Sequence, residues 1–114
     1  MYLLIIILHR EEWLDDILSG LVELGIEDAV TIDSESMERA LAYKVPIFAG
    51  LRFDIRGKPY SKTIFAIADT PEIGKELISL LKEVNIDLEA EGVSRIITLK
   101  IESIFGTPKE IEEI

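Results

Sequence analysis

A glycine, a hydroxyl and a guanidinium fall within four residues at Gly92, Ser94 and Arg95, inside the stretch EGVSRIITL of residues 91–99. Groups of this kind hold anions. Backbone N–H groups at a glycine turn can form an anion-binding nest, a hydroxyl adds a donor, and a guanidinium grips phosphate or carboxylate with two parallel hydrogen bonds. The plain alternative is a turn glycine followed by an arginine that pairs at the surface with Glu89 or Glu91, a contact worth little.

Catalytic chemistry is poorly provided for. The chain has one histidine and no cysteine, so any nucleophile–base pair would depend on His9 alone. Asp15 and Asp16 are adjacent, and on a helix they point in different directions. After the first aliphatic run, His9-Arg10-Glu11-Glu12-Trp13 offers two acids where an anion loop needs N–H groups and glycine. The chain is therefore expected not to be an enzyme. His9 with Glu11 and Glu12 lacks the spacing of a strong metal motif, and no residue is assigned to a metal. The two acids suit the positive end of a helix.

The chain of 114 residues carries a formal net charge of −10. One domain of this size buries roughly two-thirds of the surface its unfolded chain exposes, which supports a core but no deep private pocket. A ligand site would then draw on a neighbouring subunit. The acidity argues against nucleic-acid binding and against an anionic membrane surface. The run Tyr2–Leu8 is too short to span a bilayer and has no signal-peptide flanks, so an integral membrane protein is not expected. Absence of cysteine agrees with a cytoplasmic location. Glutamine is absent and asparagine occurs once, a composition that points to a heat-adapted source.

The elements that must position Gly92–Arg95 come in two similar units. Leu3–Leu8 is a continuous aliphatic strand. Arg10–Leu24 is a helix, with Trp13, Ile17, Leu21 and Leu24 on one stripe. Gly25 stops it as a left-handed residue, and Ile26 follows as the apolar partner. Gly20 within that helix costs up to roughly 1 kcal/mol against alanine, and close packing on a strand is one reason for it among others. Ala29–Ile32 is a second strand. The same order returns with strand Thr63–Ala68, an N-cap at Thr70 and Pro71 in the first turn. A helix with Ile73, Leu77, Leu80, Leu81 and Val84 on its apolar stripe is stopped by Asn85, and strand Arg95–Ile101 closes the unit. Two β-α-β units in so short a chain specify an α+β, ferredoxin-like (βαβ)2 sandwich, an antiparallel sheet with both helices on one face. The uncovered sheet face would be covered by another copy of the protein.

Two stretches break the symmetry. One is the insertion DLEAEGVSR after Ile86, which contains the anion-holding residues. The other is the long connection Asp33–Lys62. Within it Ser36–Tyr43 reads as a short helix and Ile47–Asp54 as a strand. Arg56-Gly57-Lys58-Pro59 reads as a turn, which makes Ile47–Ala68 a hairpin and adds an extra strand. The apolar stretch 40–53, with Ile47, Ala49, Leu51 and Phe53 alternating, fits subunit packing first and docking to a partner second. Residues 1–106 form the domain and 107–114 a tail.

LVELGIEDAVTI and GVSRIITLKIE together resemble the PII signal-transduction proteins, and the layout of about residues 3–105 is similar to theirs. The resemblance implies a homotrimer with nucleotide in clefts between subunits, and residues 33–62 standing where that family presents its recognition loop to a protein partner. Its phosphate turn reads Gly-Asp-Gly-Lys-Ile; Gly92-Val93-Ser94-Arg95-Ile96 stand here, so Gly92, Ser94 and Arg95 are the implied ligand residues. Tyr43, Phe48 and Arg56 are the implied partner contacts. The family's later basic pair falls at Gly106 and Pro108, and Glu89 and Glu91 flank Arg95. A carboxylate near a triphosphate costs on the order of 1 kcal/mol at 4 Å in water and more in a cleft, which argues against high-affinity ATP binding within an adenine-nucleotide class. A trimeric metal-binding or structural protein of the CutA type is the alternative, and an ACT-like small-molecule module a third.

Overall fold

A computed structural model describes residues 1–52 and 61–110. Strand β1 spans Tyr2–Leu8, helix α1 Leu14–Glu23, strand β2 Ala29–Ser34 and helix α2 Met37–Lys44. Strand β3 spans Ser61–Ala68, helix α3 Ile73–Lys82 and strand β4 Ser94–Lys100. A 3-10 turn, Glu11–Trp13, leads into α1, and another, Pro46–Leu51, follows α2. The fold is α+β. Its four-stranded sheet is open, ordered β2-β3-β1-β4, and antiparallel at every pairing, which is compatible with a ferredoxin-like arrangement.

Alternation sorts the strand side chains onto two faces. Leu4, Ile6 and Leu8 of β1 and Ile64, Ala66 and Ala68 of β3 join Ile17 and Leu21 of α1 and Ile73, Leu77 and Leu81 of α3 in one core. The helices stop as expected: Gly25 and Asn85 have φ of +87° and +63°, the left-handed conformation that ends an α-helix. Gly20 packs differently from expectation. A Cβ there would lie 3.0 Å from Leu77 Cδ1, so the close approach is between the helices and not onto a strand. Helix α3 begins at Ile73, with the Thr70 hydroxyl accepting the Glu72 amide at 3.2 Å just ahead of it.

The extra hairpin strand is not formed over residues 47–51, which are 3-10 helical. Two causes are visible. Pro46 sits in the first turn of the 3-10 helix, where its fixed φ is favourable. Strand β3 is also flanked on both sides, by β2 and by β1, so it has no free edge for a hairpin partner. The remainder of the expected strand and its turn lie outside the described residues. The short helix after β2 is present, capped by the Ser36 hydroxyl, which accepts the Arg39 amide at 3.1 Å.

The centre of the sheet face away from α1 and α3 is apolar. One row across the sheet reads Ile97, Ile5, Phe65 and Val30; the next reads Leu99, Leu3 and Ile67. Val30 is 57% exposed and Leu99 50%.

Candidate functional site

The insertion between α3 and β4 is built inward. Leu88 and Val93 belong to the buried core, 1% and 5% exposed. The Asp87 carboxylate accepts the Glu89 amide at 3.0 Å, Ala90 N–H donates to the Asp87 carbonyl, and Val93 N–H donates to the Ala90 carbonyl. His9 N–H then donates to the Val93 carbonyl at 2.8 Å, which ties the loop to the end of β1. Gly92 turns the chain with a φ of +77°, a conformation that a residue with a Cβ rarely takes. The amides of Glu91 and Gly92 have no hydrogen-bond partner among the described residues.

Of the three expected ligand residues, Ser94 and Arg95 line one cleft at the edge of the sheet, and Gly92 is not among its lining residues. Strand β4 starts at Ser94, so Ser94 and Arg95 are successive strand residues and face opposite sides of the sheet. The Ser94 hydroxyl donates to the Leu88 carbonyl at 2.8 Å. Arg95 is exposed, pairs across the sheet with Ile7, and has no ion-pair partner among the described residues. Glu89 pairs with Lys82 at 3.6 Å instead of with Arg95. A shallow cleft of about 330 Å³ runs beside the outer edge of β4, lined by Ile78, Leu88, Glu89, Ser94, Arg95 and Ile96. It offers an apolar floor, one cation and one carboxylate. That is an incomplete anion site, open on one side.

The long connection has its own cluster. Tyr43 on α2 and Phe48 in the 3-10 turn are 43% and 42% exposed. Arg56 lies outside the described residues. The guanidiniums of Arg39 and Arg52 sit 4.7 and 4.9 Å from the centroid of the same Tyr43 ring. Arg52 Nε also donates to the Ala42 carbonyl at 2.9 Å, holding the end of the 3-10 turn against α2, where Ala42 is fully buried. The spacing of Arg39 and Tyr43, four apart on a helix, was the sequence signal for this contact. Ile47 is 84% exposed while Ala49 and Leu51 are half-buried, so the expected alternating face is absent.

Between β2 and β3, Lys62 donates to the Asp33 carboxylate. That hydrogen bond is the main cause that holds the Lys62 ammonium above its ordinary pKa; the charges of Asp33 and Glu11 add to it and partial desolvation opposes it. Among the described residues no three His, Cys, Asp or Glu side chains are grouped to hold a metal ion. No described helix is long and apolar enough to cross a membrane. Neither protein-family models nor characterised protein sequences match the chain.

Proposed function

We propose that the chain is a non-enzymatic, PII-like regulatory or ligand-sensing protein that works as a homotrimer of ferredoxin-like (βαβ)2 subunits. The observation that carries this reading is the apolar sheet face. One row is aliphatic or aromatic across all four strands and the next across three, and contiguous apolar surface of this kind marks an association site. The strand order and the antiparallel pairings support two split β-α-β units. The resemblance to PII proteins sets the number of subunits at three.

In this reading a small ligand sits at a subunit boundary beside β4. Arg95 supplies its counter-charge and the neighbouring subunit the missing wall. Adenine nucleotide is the class to test first. The Glu89 carboxylate in the same cleft and the committed Ser94 hydroxyl favour a ligand with fewer negative charges than ATP. Binding would bias residues 33–62, which present Tyr43 and Phe48 to a protein partner.

Light scattering measures the subunit number, and a monomer refutes the reading. Calorimetry with ADP, ATP and divalent metal on the wild type and on Arg95→Ala then tests the ligand. Saturable nucleotide binding that weakens about tenfold in the variant, the loss of one charge-assisted contact, is expected. Binding of metal alone, lost in His9→Ala, would transfer the chain to the CutA-type reading.

A further inference from the structure

The sheet leaves two strands with one unpaired side each, β2 and β4. The hydrogen bonds at the ends of the ladders show which backbone groups are left over. Ile67 N–H donates to the Asp28 carbonyl, so the even-numbered residues of β2 bond to β3, and Ala29, Thr31 and Asp33 direct their N–H and C=O groups outward. His9 N–H donates to the Val93 carbonyl and Ile101 N–H to the Met1 carbonyl. The odd-numbered residues of β4 therefore bond to β1, and Ser94, Ile96, Thr98 and Lys100 direct theirs outward. No described residue takes up these outward groups.

Free edges are ordinarily blunted by lysine, proline, a bulge or a very short strand. The centres of these two are not. Residues 29–32 read Ala-Val-Thr-Ile and residues 96–99 Ile-Ile-Thr-Leu, uncharged, without proline or glycine and mostly β-branched. The strands match in length, six residues and seven. Their charges are opposite: residues 28–35 hold three acids and no base, and residues 94–101 two bases and no acid. Either edge paired with its own kind gathers like charges, whereas β2 beside β4 joins acid to base.

We propose that β4 of one copy pairs antiparallel with β2 of the next, in the register that sets Ala29 opposite Lys100 and Ser34 opposite Arg95. Opposed residues of an antiparallel pair share a face, and those that exchange hydrogen bonds must both direct them at the partner. Thr31 opposite Thr98 meets both conditions. Val30 then meets Leu99 and Ile32 meets Ile97, four side chains that are 38 to 57% exposed in the lone chain. A shift of two residues one way sets Ile32 against Arg95, and the other way Ser34 against Ile97. The helices of both copies lie on one side of the continued sheet, and their apolar rows join on the other. Each copy offers one β2 edge and one β4 edge, so head-to-tail pairing that closes into a ring leaves no edge free. The inference rests on the assembly proposed above and names the strands that meet in it; it sets no subunit number.

The pairing also supplies the wall that the cleft beside β4 lacks. Asp33 of the neighbouring copy comes opposite Ile96, a residue of the cleft lining, with Lys62 of that copy attached to it. A carboxylate on that wall favours a ligand of low negative charge.

The chain has no cysteine, so paired thiols can report the register. The double variant Thr31→Cys, Thr98→Cys sets two thiols at opposed positions of neighbouring copies, with Cα atoms about 5.5 Å apart, inside the disulfide range. Within one copy the two positions lie on opposite edges of the sheet, roughly 14 Å apart, and cannot join. Oxidation of the native protein should give covalent multimers on a non-reducing denaturing gel, and either single variant should remain a single chain. Moving the second cysteine from Thr98 to Lys100 makes the pair diagonal, about 7–8 Å apart, and should slow the linkage by about tenfold. Absence of multimers in the double variant, or equal linkage in a single variant or in the Lys100 variant, overturns the pairing. If light scattering then still shows an assembly, the assembly reading stands and only the pairing falls, whereas a monomer defeats both. Multimers from an assembly of other than three subunits uphold the pairing and refute the trimer.

Discussion

Ile97→Asp separates an apolar sheet face that meets water from one that is covered by another subunit. Ile97 lies in the row with Ile5, Phe65 and Val30 and is 38% exposed in the isolated chain. Full burial of an isoleucine stabilises by about 1.5–3 kcal/mol relative to exposure, so covering the exposed part contributes about 0.6–1.2 kcal/mol per subunit. Replacing it with aspartate in a lone chain forfeits the part already covered, about 1–2 kcal/mol. In an assembly the variant must also strip water from an unpaired carboxylate in every subunit, several kcal/mol each, with the symmetry-related charges repelling one another. The expected outcome is a wild type of three-subunit mass and a folded variant of single-subunit mass. Size-exclusion chromatography with light scattering gives the masses, and circular dichroism confirms that the variant keeps its helices. A variant that retains the full assembly mass would refute the placement of this face at an interface.

Leu88→Ala should lower unfolding stability by about 2–5 kcal/mol in urea titration, since Leu88 is 1% exposed and anchors the insertion; a change under about 0.5 kcal/mol would show the loop to be loosely attached. Lys62 should titrate above its ordinary 10.5, because the hydrogen bond to Asp33 and the nearby charges favour its ammonium form. The sign follows: this stabilisation is complete below the ordinary lysine pKa and is lost as pH rises through the raised value. Asp33→Asn should bring the Lys62 titration, followed by NMR of its side-chain methylene, down toward the ordinary value; an unchanged titration contradicts the stated cause.

Much of the fold was legible because its signals are local. The aliphatic runs of β1, β3 and β4, the amphipathic stripes of α1 and α3, and the stops at Gly25 and Asn85 depend on residues near in sequence. The extra strand was misread for a non-local reason. A proline followed by alternating apolar residues fits a strand, but only the finished sheet shows that β3 has both edges occupied. The neighbour of Gly20 is non-local in the same way, since Leu77 reaches it only through helix packing. At the candidate site the sequence shows which groups are close along the chain and not what surrounds them. The Ser94 hydroxyl is taken up by the Leu88 carbonyl, six residues back, and Arg95 is left as the exposed cation of the edge cleft. The roles of Leu88 and Val93 as core anchors were written in their hydrophobicity and obscured by the acids around them.

The position of β1 sets the order in which the protein can be made. Leu8 pairs with Lys62 on one side and with Ser94 on the other, so the first strand synthesised is flanked by the last two. Until β3 emerges, the segment Leu3–Leu8 is an aliphatic, uncharged, β-prone stretch without a ladder partner, the composition that drives cross-β association. Closure of so many distant pairings also slows folding relative to a helical domain of equal length. The vulnerable species is thus the nascent chain, and co-expression with a chaperone that shields extended apolar segments should raise the soluble yield more than any change to the finished surface.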